Sequence, residues 1–135
     1  MKILGVSHPI PPKYAKRIYN ENKTVFVGKR CLCKVSKGDK FIIYESYGKK
    51  AYTGWANINE IGKIKTDSVI KKYGEYLIVT KEEFDEYSKG RKEMFVIEFE
   101  NFQKFKNPVK PSRYVTVGGK YIYKNEFERI KRRKD

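Results

Sequence analysis

Lys40-Phe41-Ile42-Ile43-Tyr44-Glu45-Ser46, the connection Tyr47-Gly48-Lys49-Lys50, and Ala51-Tyr52-Thr53-Gly54-Trp55-Ala56-Asn57-Ile58 read as the two strands of one hairpin. The first stretch is dense in β-branched and aromatic side chains, the residue types that suit a pleated, half-buried surface. Lys37-Gly38-Asp39 is the turn that opens it, and the residues between the two runs close it back on itself. Gly54 interrupts the return strand, which marks a bulge or a close approach of another backbone.

Outward toward the N-terminus, Lys2 to Ser7 alternates as a short strand. Pro11-Pro12 begins a helix, because the first turn has no use for a backbone donor. Tyr14, Ala15, Ile18 and Tyr19 then fall at helical spacing, Asn20-Glu21-Asn22 closes the helix, and Thr24-Val25-Phe26-Val27 is a second strand. Toward the C-terminus, Thr66-Asp67 caps a short helix through Tyr73, with Gly74 as its stop. Thr80 and Glu83 form a capping box, each satisfying the other's exposed backbone donor. That helix runs to Lys89 and ends at Gly90. Met94 to Phe102 is a long strand with Phe95, Ile97 and Phe99 on one face, and Asn107 to Pro111 is a proline-bounded loop. Asn125 caps a last helix whose cationic end, Arg129 to Lys134, suits the helix dipole. The expectation is a mixed α/β fold of about five to seven strands with short flanking helices. No linker divides the 135 residues, so one domain is expected over 1–135, with the basic tail 131–135 frayed.

The formal net charge is +15, from 31 Lys and Arg against 16 Asp and Glu. Its distribution is uneven: residues 1–50 carry +9, residues 51–100 carry −2, and residues 101–135 carry +8. If the two basic ends meet in space they make one face that attracts polyanions over about 8–10 Å. A solvated lysine-rich surface is the competing explanation. No stretch is long and apolar enough for a membrane helix, and the first residues lack the apolar run of a signal peptide. A cytoplasmic location is expected. Cys31 and Cys33 stand two apart; on a strand a disulfide between them would be strained, so packed or idle thiols are expected. Two thiols and one histidine do not supply the four ligands of a zinc site, and neither a metal nor a cofactor is expected.

The hairpin pattern, with Gly38-Asp39, Tyr44-Glu45-Ser46 and Thr53-Gly54-Trp55-Ala56-Asn57-Ile58, resembles the central hairpin of PUA-like domains. It is most similar to their EVE and ASCH branches and to a family of small archaeal proteins of unknown function (DUF365-type). His8-Pro9-Ile10-Pro11-Pro12 and Lys23-Thr24-Val25-Phe26-Val27-Gly28-Lys29-Arg30 extend the resemblance, which spans roughly residues 2 to 130. It implies a PUA-like pseudo-β-barrel that binds RNA and holds a nucleobase, often a modified one, beside the barrel. Some ASCH proteins are amidohydrolases with a Gly, Lys, Glu, Arg motif. Here Lys23 takes the lysine position, but Glu21, Phe26 and Gly28 stand where glycine, glutamate and arginine belong. Phenylalanine cannot exchange a proton with a substrate, which argues against that activity.

The reading is therefore an RNA-binding domain with a cleft for a single base or nucleotide. Lys13, Lys16, Arg17, Lys23, Lys29, Arg30 and Arg113 are the candidates for phosphate contacts, which would release counterions and make binding salt-dependent. His8, Tyr44, Ser46, Tyr47 and Trp55 are the candidates for the base pocket, the aromatic rings as stacking surfaces and His8 and Ser46 at the base edge. His8 is placed on a loop between strand and helix. A small nucleotide-processing enzyme and a protein-interaction module are the alternatives. The oligomeric state is not legible.

Overall fold

Phe41, Ile42 and Ile43 are each fully buried, so the central strand β3 (Lys40–Glu45) is covered on both faces. This is why its sequence is a continuous apolar run and not an alternation. Phe41 and Ile43 face one core and Ile42 and Tyr44 another. The computed structural model describes residues 2–30, 32–113, 115–116 and 118–135.

Around β3 the chain lays β1 (Ile3–Ile10), α1 (Pro12–Glu21), β2 (Val25–Gly28), β4 (Ala51–Lys65), α2 (Thr66–Tyr73), α3 (Lys81–Tyr87), β5 (Glu93–Val109), β6 (Lys120–Tyr123) and α4 (Lys124–Arg133). A single 3-10 turn (Gly74–Tyr76) follows α2. The six strands form one sheet in the order β2-β5-β4-β3-β1-β6. Only β1 and β3 pair in parallel; the other neighbours are antiparallel. Although β2 lies at one edge and β1 near the other, the rings of Phe26 and His8 meet at 4.7 Å. The sheet must therefore curl on itself. The curl has a local cause in the β4–β5 ribbon, where the register shifts at Tyr52/Gly54, Trp55/Asn57 and Ile58/Glu60. Each such irregularity bends the strand and increases its twist. At the first of them a Cβ on Gly54 would lie 2.5 Å from the Phe102 ring and 2.9 Å from the Gln103 carbonyl, so the expected close approach is present.

Three apolar clusters hold the layers together. Ala15 and Ile18 of α1 pack on Phe41, Ile43, Ile97 and Phe99. Ile130 and Phe127 of α4 cover Ile42, Tyr44, Tyr52, Trp55 and Phe105 on the other side of the sheet. Val69 and Tyr73 of α2 and Phe84 of α3 close over Val25, Val27 and Val96. The capping box at Thr80 and Glu83 and the stop at Gly74 are where the sequence placed them.

Several expectations are corrected. β1 runs through Ile10, because its parallel pairing with β3 continues to Glu45. His8 and Pro9 are therefore strand residues and not a loop. β5 extends to Val109, opposite Tyr52, so most of the expected loop 107–111 is strand. β6, absent from the expected elements, is a short strand paired to β1. It runs straight into α4, whose N-cap is Tyr123 with no side-chain cap, so Asn125 lies inside the helix. Cys33 is disulfide-bonded, against the expectation of a packed or idle thiol. It lies on an irregular loop, where the strand geometry assumed for it does not hold; Cys31 falls outside the described residues. Among the described residues no helix is long and apolar enough to cross a membrane.

Candidate nucleic-acid interface

The ends of β1, β2 and β3, the start of α1 and one side of α3 enclose a cavity of about 800 Å³. Local sequence sets this up: Pro11-Pro12 turns the chain from β1 straight into α1, and β2 ends at Gly28 beneath α3. The interior carries apolar groups, including Ile10, Phe26, Tyr44, Ile78 and Val115. Lys29, Arg30 and Lys50 line it from exposed positions, as do Tyr47 and Tyr87.

His8 lines the cavity and is only 5% exposed. Its ring packs against Phe26 at 4.7 Å and Phe41 at 6.2 Å, and its Nε2 has no hydrogen-bond partner. Burial without an acidic neighbour lowers its pKa from 6.5 to about 4, so the imidazole is neutral at ordinary pH. Gly119, at φ +81°, passes so close that a Cβ there would lie 2.8 Å from Nδ1 of His8 and 2.6 Å from the Ser7 carbonyl. Only glycine allows that loop to close over the histidine.

Glu83 is the one carboxylate in the lining among the described residues, and it is fully engaged. Arg17 grips it through both guanidinium nitrogens, at 2.5 and 3.3 Å, and also donates to the Ile78 carbonyl at 2.9 Å. Lys13 adds an ion pair at 3.1 Å, and the Thr80 amide donates at 2.8 Å. The Arg17 hydrogen bonds hold the Glu83 carboxyl well below the usual carboxylate range. Replacing Arg17 with alanine strands this carboxylate and is expected to cost about 1–3 kcal/mol. Lys13→Ala, at an exposed pair, is expected to change stability by less than about 1 kcal/mol. Urea denaturation of the two variants checks the contrast; equal midpoints would remove Arg17 from its structural role.

The structure thus brings together His8, Tyr44, Ser46, Tyr47, Lys29 and Arg30 around one cavity. The remaining expected residues lie elsewhere. Arg17 and Lys13 face the cavity's carboxylate and are spent on it. Lys16 is an exposed residue of α1 outside the lining. Lys23 donates to the Glu75 carbonyl and borders a separate cleft of about 270 Å³. Arg113 is exposed on the loop between β5 and β6, away from the lining. Trp55 is corrected most clearly: it is 5% exposed beneath α4, stacked on Phe127 at 5.3 Å, with its Nε1 donating to Gln103 at 3.1 Å. A ring in that position cannot receive a base. Tyr87, Lys50 and Glu83 line the cavity without having been legible as site residues in the sequence. Only the capping box pointed to Glu83, as a cap and not as a lining residue, and nothing local marked the other two.

The family model described as Domain of unknown function (DUF365) matches residues 3–124. A protein of Methanocaldococcus jannaschii called Uncharacterized protein MJECS03 is 32% identical over 67% of this chain and 95% of its own length. Among solved structures, the ASCH protein from Zymomonas mobilis superposes with a TM-score of 0.86 at 16% identity, covering 96% of this chain and 94% of that one. A hypothetical protein from Leishmania major superposes with a TM-score of 0.58 at 17% identity, over 97% and 94% of the two chains. These likenesses establish the fold, which is the ASCH and PUA-like α+β architecture expected from the hairpin.

Proposed function

The chain belongs to the DUF365 family, and on that premise we propose that it binds RNA, holding one base, plain or modified, in the cavity beside β1 and β3. The single observation that carries this reading is the composition of the cavity: an apolar, ring-lined interior reached past Lys29, Arg30 and Lys50. A planar heterocycle suits the interior, and its phosphates suit the entrance. Among the described residues no carboxylate forms an ion pair with those three cations. His8 supplies a neutral hydrogen-bonding ring within the wall, and Ser46 a hydroxyl.

A hydrolase in the same cavity would need a group able to exchange a proton with the substrate. Glu83 is held ionised by Arg17, so it has no proton to give at neutral pH. Phe26, at the position where ASCH amidohydrolases carry glutamate, packs its ring on His8. Neither of these two positions supplies that group, which supports the binding reading.

Filter binding of single-stranded RNA at two salt concentrations tests the proposal. Affinity is expected to fall as salt rises, and replacing both Lys29 and Arg30 with alanine is expected to reduce the salt slope by about 1 per lost phosphate contact. Absence of binding at low salt, or binding indifferent to salt, would overturn it.

A further inference from the structure

Among the described residues four tyrosines are substantially exposed: Tyr47 at 68%, Tyr76 at 54%, Tyr87 at 38% and Tyr123 at 38%. Two of the four, Tyr47 and Tyr87, line the same cavity, and they reach it from unrelated parts of the chain. Tyr47 comes from the connection between β3 and β4, and Tyr87 from the last residue of α3. Each is accompanied by cations. Lys50 follows Tyr47 on the same connection, and the Lys29 ammonium sits 4.5 Å from the centroid of the Tyr87 ring. Arg91 donates to the Lys29 carbonyl at 3.0 Å, which brings another exposed cation to the Tyr87 side.

Single exposed rings are ordinary on a protein surface, but two at the mouth of one cavity are not scattered. Beside cations that have no acidic partner among the described residues, the chemistry that covers such rings is a base with its phosphate. We infer that the ligand is a single strand of RNA longer than one nucleotide, with bases flanking the buried one stacking on Tyr47 and Tyr87. This rests on the base-binding reading above. A base held in the cavity has left its own stack, and its neighbours and their phosphates necessarily emerge at the mouth. An unpaired strand is favoured, since a duplex would have to give up a base pair, at an energetic cost, to insert one base. Lys29 then stands where a phosphate next to a base on Tyr87 would lie, and Lys50 does the same beside Tyr47.

The experiment compares a short single-stranded RNA, its duplex and the nucleoside monophosphates by fluorescence anisotropy and competition. Wild-type protein, Tyr47→Ala, Tyr87→Ala and Tyr47→Phe are used, each checked by thermal melting. The single strand is expected to bind more tightly than its duplex or any monophosphate. Each alanine variant is expected to lose about 5- to 150-fold in strand affinity, as loss of one stacked base predicts. The salt slope should stay unchanged in both, because neither variant alters a charge, and monophosphate affinity should fall by less than strand affinity, because only the strand loses a flanking stacked base. Tyr47→Phe keeps the ring and should bind as wild type. Should Tyr87→Ala melt early, Tyr47, at an exposed turn, carries the test alone. If monophosphates or duplex bind as tightly as the strand, or if the alanine variants retain full strand affinity, the strand inference falls while the base-binding cavity stands. If the wild type binds neither strand nor monophosphate, both fall.

Discussion

Replacing Phe41 with alanine is expected to cost about 3–5 kcal/mol of stability, the range for removing a large ring from a well-packed core. Phe41 has no exposed surface and lies in β3 between β1 and β4. Its ring packs on Phe99 at 4.9 Å, Phe26 at 5.4 Å and His8 at 6.2 Å. These neighbours come from β5, β2 and β1, so one side chain joins strands that are not adjacent in the sheet order. They cannot collapse into the vacated volume without uncurling the sheet, which places the cost toward the upper end. Against a typical total of about 5–15 kcal/mol, this is a large fraction. Urea denaturation reads it as a fall in midpoint, with Tyr47→Ala, at an exposed turn, as the control expected within about 0.5 kcal/mol of wild type. An unchanged midpoint for Phe41→Ala would mean that the curled core does not depend on this ring.

Acidification is expected to destabilise the protein in a window set by His8. Its pKa is about 4 in the fold against 6.5 in the unfolded chain. Between those values the unfolded chain binds a proton that the folded protein refuses, so stability falls as pH is lowered through the window. Above about pH 6.5 the contribution is complete; by about pH 4 roughly 3 kcal/mol is lost. Glu83 contributes in a different window: its carboxyl is depressed, so its stabilisation is present above about pH 4.5 and is lost as pH falls below that. The slope between about pH 5 and 6.5 therefore reports His8. Denaturation midpoints measured across that range should show the slope in wild type and lose it in His8→Gln, which stays neutral. A slope that survives in His8→Gln would assign it to another group. RNA bound in the cavity would sharpen the effect if its base contacts the neutral ring.

The hairpin is legible in the sequence because its signal is local. A turn glycine at Gly38, a dense β-branched run and a compact connection specify two antiparallel strands whatever surrounds them. The helix starts at Pro12 and Lys81 and the stop at Gly74 were legible for the same reason, as backbone chemistry written into a few consecutive residues. The ends of the long strands were not. Whether β5 stops at Phe102 or reaches Val109 depends on whether β4 offers it a partner there, which is a tertiary fact.

The same division separates the charge from its use. The sequence by itself determined that this chain is strongly basic, that its basic residues gather toward both ends, and that a PUA-like hairpin sits between them. It could not determine which cations are free, because a lysine or arginine is committed only when a distant acid comes within reach. Arg17 is spent on Glu83, 66 residues away, whereas Lys29 and Arg30 meet no carboxylate among the described residues. Aromatic rings divide in the same way. Trp55 and Tyr47 stand on one hairpin, yet α4 folds over the first while the second stays exposed. The cavity itself exists only because the sheet curls until Phe26 meets His8, bringing two strands that never pair to one wall. Affinity for phosphate was written in composition; the pocket and the residues free to use it were decided by packing.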